Sequence, residues 1–567
     1  MKSWSWAGAI SAVLLLVVSN LLAFAAGAKN PDTAPVAAPT PIIATPAVMP
    51  LPGVGQAIAE ISLQQGMGQL PVDWIALRAV YDAGRSPIWA LPTGFTPLGQ
   101  QFMQLLPKAL QAGFGLPPEA ALAVTTLPPP IDAATAARAE ALLSVVFMTA
   151  AVDAGSLIGD AAQRGLGILA ALDQSTDQPA FLQQEVPVYP PFWRLYRQLP
   201  GYIAYVRAGG WPTIGGIDKL EPGQRHASVV ALRQRLVVTG DLIAAPVADP
   251  AADPELYDGD LVPAVQAFQR SHGLNDDGVI GKRTVEEMNV PAETRLRMIM
   301  LNLQRMQEQG PGFEPRHLIV NVPAQEVKII EDGNIAFYTK AIVGKVERKT
   351  PLLNSIITQV KLNPDWSVPP KIAANDMLRH ELDQPGYFVT KNVRVYDSGG
   401  GEVDANTIDW REVRKSGYFP YRLKQDAGPE NALGPVKLDF KNDYAVYLHG
   451  TSAPALFAKQ DRYFSSGCVR TADPVGLAAF VLKDNPVWTR SHVDEVIASG
   501  KTTYVAVARP LPIHITYMTA WVDEGGILQF RRDAYGYDRL PSMPNLMPDI
   551  DQPSVTSSIA DRSSGRN

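Results

Sequence analysis

The feature that most constrains the fold of this chain is a change in the spacing of its apolar residues near position 316. Before that point the spacing is helical, as in Val72, Ile75, Ala76, Ala79 and Val80. After it, apolar and polar residues alternate through His317–Val322 and Glu326–Glu331, which is typical of strands. The sequence therefore predicts a multidomain α+β protein, in which a helical part precedes a mainly β domain.

Length and composition limit the classes of protein that fit this sequence. The 567 residues suffice for about four domains, and 46% hydrophobic residues can bury sizeable cores. The net charge of −6 lacks the basic signature of a nucleic-acid-binding protein. The 49 prolines and 45 glycines indicate long loops and extended linkers.

The amino terminus has the composition of an export signal. Lys2 precedes an uncharged run that ends in small residues, so residues 1–28 are interpreted as a signal peptide. The run is also long enough for an uncleaved membrane anchor. Residues 29–54 are rich in Pro and Ala and are predicted to be an extended tether. Either interpretation places the bulk of the chain outside the cytoplasm. Because that compartment is oxidising, a chain with few cysteines avoids wrong disulfide pairing.

Residues 55–221 are predicted to form a helical scaffold domain. They include a helix of small apolar residues over 134–152, and no motif in this part carries chemistry. A connecting helix in residues 291–315 has an apolar face that we expect to pack back on the scaffold: Leu296, Ile299, Met300, Leu303 and Met306. The polar residues 541–567 are predicted to be a disordered tail.

Residues 222–290 form a separate predicted module of three short helices. Its first helix covers Ala227–Leu236, and its second begins at Asp260. The module carries an ordered set of short motifs: Ala264-Val265, Phe268-Gln269, Gly273-Leu274, Asp277-Gly278, Gly281 and Thr284. This set resembles the signature of a peptidoglycan-binding domain. A calcium loop at Asp277-Gly278 is the rejected alternative, because the spaced ligands and terminal Glu of such a loop are missing.

Residues 316–540 are predicted to form the mainly β domain. Asp332-Gly333-Asn334 predicts a tight hairpin turn into a strand at Ile335–Val343. Further strands are expected at Tyr444–Leu448, Thr503–Ala508 and Ile513–Val522. Asp473-Pro474 predicts the N-cap and first position of a helix at Val475–Leu482.

Residues 372–433 form a long, charged segment inside this domain that contains Gly399-Gly400-Gly401. Their pattern predicts no regular secondary structure. An insertion without regular structure in a compact domain is usually a lid or a substrate-binding flap. We therefore predict a lid over residues 372–433.

Cys468 is the only cysteine of the chain and lies in the polar turn Ser465-Ser466-Gly467-Cys468-Val469-Arg470. A thiol without a disulfide partner is inert filler, an intermolecular linker or a nucleophile. The surrounding hydroxyls, glycine and cation favour the nucleophile, because filler cysteines usually lie among Val, Leu or Ile. Such a cysteine needs a base or a positive field that lowers its pKa.

His449 is the best-placed base among the seven histidines. It ends a short apolar strand, and strand alternation puts Tyr447 on the same face. Gly450 allows close approach of the backbone. Gly467 leaves room for a substrate carbonyl beside backbone N–H groups, and Arg470 could lower the thiol pKa or hold a substrate carboxylate.

Two alternatives remain open on the residues alone. A buried neutral cysteine beside a structural histidine would have no catalytic role. His492 is a fallback base, because enzymes with the Cys before the His exist. No Cys, His and carboxylate group has zinc-ligand spacing, so neither a metal nor another cofactor is expected.

The segments Tyr447-Leu448-His449-Gly450-Thr451 and Phe464-Ser465-Ser466-Gly467-Cys468-Val469-Arg470 resemble the active-site signature of the L,D-transpeptidases, which have a YkuD-type catalytic domain. The wider chain resembles the large periplasmic YcbB-like branch of that family. Supporting segments lie at Val343-Gly344-Lys345, Lys349-Thr350-Pro351, residues 363–370, residues 428–434, residues 81–89 and residues 519–523.

The resemblance implies a mechanism. Cys468 would attack the carbonyl of the third residue of a peptidoglycan stem tetrapeptide, and the terminal D-Ala would leave. His449 would act as the base for the thiol and then for an acceptor amine, giving a 3→3 cross-link. The N–H groups of Gly467 and Cys468 would form the oxyanion hole. Substrate contacts are implied for Tyr447, Trp366, Arg470, Ser465, Ser466, Gly450 and Asn431.

Two details stay open at this point. Many smaller family members carry a histidine where Ser466 stands, so we expect a backbone carbonyl to orient His449. Trp366 lies between Asn363-Pro364 and Pro369-Pro370, and belongs either to the donor groove or to the core of a rigid turn.

Three functions compete for this sequence. A cross-linking transpeptidase is favoured. The same site with water as acceptor would be an L,D-carboxypeptidase or would detach a wall-linked protein, and a non-catalytic wall-binding scaffold would use only residues 222–290. Peptidoglycan stem peptides and glycan are the expected partners, together with other wall-synthesis enzymes. The expected location is the periplasm, with membrane contact only through an uncleaved anchor, and a carbapenem is expected to acylate Cys468.

Overall fold

The computed structural model describes residues 49–155, 161–243, 253–310 and 312–538. The predicted signal peptide, most of the tether and the predicted tail lie outside these ranges. Within them, one helix, Ala133–Ala151, has the length and hydropathy of a membrane span, and most of it is buried inside the protein.

The first part of the chain is helical, as its apolar spacing predicts. Its elements are α1 (Val54–Ser62), α2 (Trp74–Asp82), β1 (Ala90–Leu91), β2 (Gly94–Phe95), α3 (Pro97–Ala112), α4 (Pro118–Thr125), α5 (Ala133–Gly155), α6 (Ala161–Gln174), α7 (Gln178–Glu185), α8 (Pro190–Tyr196) and α9 (Leu199–Arg207). Helix α5 contacts α1 and α6, and its small side chains allow this close packing. It forms the centre of the scaffold.

A buried carboxylate ties the first helices together. Glu140 on α5 has no exposed surface and accepts hydrogen bonds from the backbone N–H groups of Ile88, Trp89 and Ala90 at 3.0, 2.8 and 3.0 Å. The Tyr81 hydroxyl donates to it at 2.7 Å. Its acceptor capacity is therefore used by the protein itself.

The small module contains β3 (Lys219–Leu220), α10 (Val229–Val238), α11 (Leu261–Ser271), β4 (Ile280–Gly281) and α12 (Lys282–Met288). Phe268 fills its core without exposed surface. The core also includes Ile214, Ile217 and Leu220, which precede the predicted boundary at 222. Gly278, at φ 73°, makes the turn whose carbonyl accepts from the Tyr257 hydroxyl at 2.6 Å.

Helix α13 (Ala292–Glu308) returns to the scaffold, as its apolar face predicts. Leu296, Ile299, Leu303 and Met306 are buried in the scaffold core, and Met300 packs against it half-buried.

The mainly β domain begins with β5 (Arg316–Asn321), β6 (Glu326–Glu331), β7 (Asn334–Gly344) and β8 (Leu353–Leu362). Glu331 pairs with Asn334, so Asp332 and Gly333 form a two-residue turn with φ of 50° and 81°. Positive φ at both positions is what the favoured hairpin turn requires. The predicted hairpin is confirmed.

The segment predicted to be irregular is instead a folded unit. Residues 366–433, here called the insertion subdomain, contain β9 (Trp366–Ser367), α14 (Pro370–Ile372), a π-helical turn (Ala373–Met377), α15 (Leu378–Asp383), α16 (Tyr387–Thr390), β10 (Val393–Tyr396), β11 (Glu402–Val403), a 3₁₀ turn (Ala405–Thr407), α17 (Trp410–Ser416) and β12 (Arg422–Gln425). Its strands form a sheet in the order β11-β10-β12-β9. Phe388, Val395 and Trp410 belong to its own apolar core. The prediction of irregular structure was wrong, because so small a core leaves few apolar residues among many charged ones.

The remaining strands complete the main sheet: β13 (Val436–Phe440), β14 (Leu448–His449), β15 (Tyr463–Ser465), β16 (Val469–Thr471) and β17 (Thr503–Thr516). The strand order of the complete sheet is β15-β7-β16-β14-β13-β8-β17-β5-β6. Pairing of β6 with β7 closes every strand except β15 into a ring. Helices α18 (Pro474–Leu482) and α19 (Arg490–Ala498) follow β16. The Asp473 carboxylate accepts from the N–H of Gly476 at 2.8 Å, which confirms the predicted cap.

The strand predicted at Tyr444–Leu448 is only β14, Leu448–His449. The Asn442 side chain accepts from the N–H groups of Tyr444 and Val446 and donates to the Val446 carbonyl at 2.8 Å. Ala445 has φ 54°. This turn replaces strand pairing with hydrogen bonds to a local side chain.

The two strands predicted at Thr503–Ala508 and Ile513–Val522 are also divided differently. Residues 503–516 form the single strand β17, whose register shifts between Ala506 and Leu511. Residues beyond it enter a separate hairpin, β18 (Ala520–Val522) and β19 (Leu528–Phe530), which packs into the scaffold core.

Candidate active site

Two short parallel strands bring the predicted nucleophile and base to one side of the sheet. In β14 and β16, Leu448 pairs with Val469 and His449 with Arg470. The N–H of Val469 donates to the Tyr447 carbonyl at 3.2 Å, which extends this register by one step. Paired residues on neighbouring strands share a face, and alternate residues return to it. Tyr447, His449, Cys468 and Arg470 therefore face the same side, and all four line one cavity of about 690 Å³.

Strand geometry also sets the distance between the two candidate catalytic residues. His449 and Cys468 lie on a diagonal of this register, so their Cα atoms are separated by roughly 8 Å, from the usual strand spacing and rise. Both residues line the same cavity. The alternative, an imidazole and a thiol on opposite faces of the sheet, is excluded.

The turn before Cys468 is held by its own hydroxyl and by a glycine. The Ser465 hydroxyl donates to the Cys468 carbonyl at 2.5 Å and accepts from the N–H of Gly467 at 3.1 Å. Gly467 has φ 121°, a conformation that side chains rarely adopt. Ser465 is almost fully buried, so its hydroxyl shapes the turn even though the residue borders the cavity.

This turn changes the predicted oxyanion hole. The N–H of Gly467 is engaged by Ser465, whereas the N–H of Cys468 has no hydrogen-bond partner among the described residues. Of the two predicted donors, that of Cys468 is the one available to a substrate oxygen.

Burial makes His449 a neutral imidazole. It lowers the pKa of His449 to about 3, and the positive charge of Arg470 acts in the same direction. The carbonyls of Gly450 and Leu433 oppose that fall in pKa, but neither is hydrogen-bonded to Nδ1, which has no partner in the described part of the chain. A neutral ring can accept a proton from a thiol, as a general base requires.

The thiol of Cys468 is also neutral in the free protein. Burial raises its pKa, while the backbone of Tyr447 and the charges of Arg470 and Lys437 lower it. Lys437 on β13 pairs with His449 on β14, and the Nζ of Lys437 is 4.2 Å from the centre of the Tyr447 ring. The two cations favour negative charge on the sulfur and disfavour positive charge on the imidazole.

Tyr447 and Trp366 form one wall of the cavity. The Tyr447 ring is 5.5 Å from the His449 ring, and burial raises the pKa of its hydroxyl, with the Cys468 thiol adding to the rise. Trp366 is 8% exposed, belongs to the core of the insertion subdomain and also lines the cavity. The groove and core interpretations of Trp366 therefore both describe its position.

Ser466 joins the insertion subdomain to the nucleophile turn through a third residue. Arg348 Nη1 donates to the Ser466 hydroxyl at 2.9 Å, and the same guanidinium forms an ion pair with Asp376 in the π-helical turn. Arg348 thus connects the strand loop after β7, the insertion subdomain and the turn before Cys468.

Three other predicted residues lie outside the cavity lining. Asn431 is buried, donates to the carbonyls of Pro364 and Asp426 at 3.0 and 2.8 Å, and accepts from the N–H of Leu433 at 2.8 Å. A side chain at Gly450 would press on Pro435 and Pro474 at 3.1 Å. The fallback base His492 is on α19, within 3.3 Å of Glu495.

Five lining residues had no role in the sequence prediction: Arg348, Lys371, Asp376, Arg379 and His380. Lys345 also lines the cavity and was named only within the supporting segment Val343-Gly344-Lys345. The charged run from Lys345 to Lys349 is a weak sequence signal for Arg348. The other four lie in the insertion subdomain, and the tertiary structure places them in the same cavity as Cys468.

Comparison with known proteins identifies the domain that holds this site. Residues 315–489 match the family model described as "L,D-transpeptidase catalytic domain" (YkuD). This part of the chain is similar to a YkuD-type L,D-transpeptidase catalytic domain. Residues 225–288 match the model described as "Putative peptidoglycan binding domain". Both predicted resemblances are confirmed at the level of these two domains.

A curated relative matches part of the chain. The Haemophilus influenzae protein named "Putative L,D-transpeptidase" is 34% identical over 252 residues, which cover 44% of this chain and 50% of that protein. The chain thus spans about half the length of this relative.

Two solved structures are similar over about half of the chain. The L,D-transpeptidase of Stackebrandtia nassauensis is 12% identical, with a TM-score of 0.20, over 54% of this chain and 96% of its own. That of Xylanimonas cellulosilytica is 14% identical, with a TM-score of 0.16, over 53% and 99%. At these TM-scores neither structure adds to the assignment.

Proposed function

We propose that the protein is a peptidoglycan L,D-transpeptidase that forms 3→3 cross-links through a thioester on Cys468. The observation that carries the proposal is the placement of Cys468 and His449 on one face of adjacent parallel strands, in a shared cavity. The family match supports the reaction class, and the module supports a wall substrate.

The first step is acylation. Neutral His449 takes the thiol proton as Sγ of Cys468 bonds to the carbonyl carbon of the third stem residue. The bond from that carbon to the nitrogen of the terminal D-Ala then breaks, and the proton passes from the imidazolium to this leaving amine. The product is a thioester and free D-Ala.

The second step transfers the acyl group. The side-chain amine of the third residue on a neighbouring stem attacks the thioester carbon, and His449 removes a proton from that amine. The C–S bond breaks, and the sulfur recovers its proton from the imidazolium. An amide cross-link and the original thiol result.

The groups around the site can stabilise the negative charge that develops in both steps. The tetrahedral oxyanion can accept from the N–H of Cys468, and Gly467 can join only if its N–H leaves Ser465. The cations of Arg470 and Lys437 favour negative charge in the cavity.

The proposal includes export to the periplasm through residues 1–28, cleaved or retained as an anchor. The module would hold glycan or stem peptides of the wall near the transpeptidase domain. The insertion subdomain would act as the predicted lid, since its residues line the cavity over Cys468.

Incubation of purified protein with disaccharide tetrapeptide, followed by mass spectrometry, tests the proposal. Cross-linked dimer with loss of one D-Ala is the expected product. Tripeptide alone would show water as the acceptor, and the absence of any product would leave a wall-binding scaffold. A carbapenem adduct on Cys468, located by peptide mapping, would support the nucleophile, and an adduct on another residue would contradict it.

A further inference from the structure

The cavity over Cys468 is strongly biased toward positive charge. Its lining includes five Lys and Arg side chains: Lys345, Arg348, Lys371, Arg379 and Arg470. Asp376 is its only lining carboxylate among the described residues, and Arg348 already pairs with it. A net positive field therefore remains for whatever enters.

Most of these cations have no ion-pair partner in the described part of the chain. Across the described ranges, Lys345, Lys371, Arg379 and Arg470 form no ion pair with Asp or Glu. Elsewhere on the insertion subdomain several cations are neutralised: Lys391 by Glu430, Arg394 by Asp426 and Glu402, Lys415 by Glu412, and Lys424 by Asp365. The insertion subdomain therefore presents two cations without an ion-pair partner among the described residues, Lys371 and Arg379, at the rim of the cavity.

Three residues that line the cavity carry buried polar atoms without a hydrogen-bond partner among the described residues: Trp366 Nε1, His449 Nδ1 and Arg470 Nε. Such atoms also occur elsewhere, as at Trp74, Arg85 and Arg194, so they do not by themselves indicate a ligand. Trp366 Nε1 and Arg470 Nε are donors, and donors agree with the positive charge of the cavity in favouring acceptor oxygens.

We propose that this cavity selects its donor stem peptide by that peptide's free carboxylates, and that Lys371 and Arg379 of the insertion subdomain bind one of them at the rim. The inference rests on the proposed function and adds the substrate's charge to it. A carboxylate accepts charge-assisted hydrogen bonds from Lys and Arg, whereas a carboxamide carries no charge and offers its N–H groups to a site already rich in donors. The insertion subdomain is then a specificity element as well as a cover.

The test compares two donor peptides, the tetrapeptide with free side-chain carboxylates and its carboxamide analogue. The Lys371→Gln/Arg379→Gln double variant is expected to lose about ten-fold in kcat/KM for the carboxylate peptide, mainly through KM. Its preference for the carboxylate over the carboxamide should shrink by a similar factor. Arg411→Gln, an exposed residue of the same subdomain outside the cavity, is the matched control and should behave as the wild type.

A binding arm separates this inference from the proposed reaction. Calorimetry with the Cys468→Ala protein measures affinity for both peptides without turnover. Tighter binding of the carboxylate peptide, lost in the added rim variants and weakened by salt, supports the inference even if no cross-link forms. Equal affinity for the two peptides, or a preference that survives the rim substitutions, overturns it. Absence of product with either peptide in the wild type counts only against the transpeptidase assignment.

Discussion

Two buried polar clusters, one around Glu140 in the scaffold and one around Cys468, differ in how far the protein satisfies their hydrogen bonds. Around Glu140, the carboxylate meets three backbone N–H groups and the Tyr81 hydroxyl, and Ser144 binds both Tyr81 and the Trp89 indole at 2.7 and 2.9 Å. Around Cys468, Nδ1 of His449 and Nε of Arg470 are also buried but have no hydrogen-bond partner among the described residues.

The difference separates a structural network from a reactive one. A satisfied buried network fixes one arrangement of the chain and leaves no capacity for a ligand. Unsatisfied donors cost free energy in the folded protein, and beside a candidate nucleophile they leave hydrogen-bonding capacity that a substrate can use. If this contrast is correct, substitutions in the two regions should affect different properties.

The largest expected effect on chemistry comes from Cys468→Ala. Without the sulfur no thioester can form, so turnover should fall by about 10⁴-fold or more. Sacculus binding, assigned to the module, should be unchanged, as should the urea unfolding midpoint. Mass spectrometry of the tetrapeptide reaction and a sacculus pull-down measure the two properties. Full activity in this variant would show that the nucleophile is misassigned.

Glu140→Ala should have the opposite result. It leaves three backbone N–H groups and a hydroxyl without their acceptor, so the free energy of unfolding should fall by about 3 kcal/mol or more. Activity per folded molecule should remain, because the residue is in another domain. Urea unfolding measures the loss, with the exposed Glu60→Gln as control. A loss no larger than that of the control would show that the Glu140 network does not stabilise the fold.

Acid should destabilise the protein through His449. Its folded pKa of about 3 lies below the value near 6.5 of an exposed imidazole, so below pH 6.5 the unfolded state binds a proton that the folded state does not. The stability loss begins as pH falls through 6.5 and continues toward 3. Between pH 6.5 and 5, the wild type should lose about 1.5 kcal/mol more than His449→Gln.

Urea unfolding of both proteins at several pH values checks this difference. His272, His317 and His514 also have lowered pKa values through burial, so the comparison of variant and wild type is needed to isolate His449. Parallel pH curves would mean that His449 is not held neutral by its surroundings.

The smallest effect is expected from Ser466→Ala. It removes one hydrogen bond from Arg348 but leaves the ion pair to Asp376, so kcat/KM should fall by a few-fold, in line with about 1 kcal/mol for such a bond. Steady-state kinetics on the tetrapeptide measure the change. A loss beyond a hundred-fold would instead place the Ser466 hydroxyl in contact with the substrate.

Some elements of the fold could be predicted from neighbouring residues in the sequence, and others could not. The hairpin at Asp332-Gly333 and the cap at Asp473 are confirmed, because each depends on a few neighbouring residues. The strand at Tyr444–Leu448 and the irregular segment were wrong. In the first case the Asn442 side chain competes for the backbone, and in the second a small core is hidden by surface charge.

The candidate site divides in the same way. Cys468, His449, Tyr447 and Arg470 belong to two short motifs, and their common face follows from strand alternation once the motifs pair. The role expected for Asn431 did not follow, because its amide bonds to Pro364 and Asp426, contacts that no local pattern reports.

The change from helical to strand spacing, the small module and the lone thiol with its nearby histidine follow from the amino-acid sequence, since they are local patterns of residue type. The folded structure was needed to show that β14 lies parallel to β16, that Arg348 joins the loop after β7 to the insertion subdomain, and that Lys371 and Arg379 line the same cavity as Cys468. Those relations depend on contacts between residues far apart in the chain, which come together only when separate cores have formed and packed.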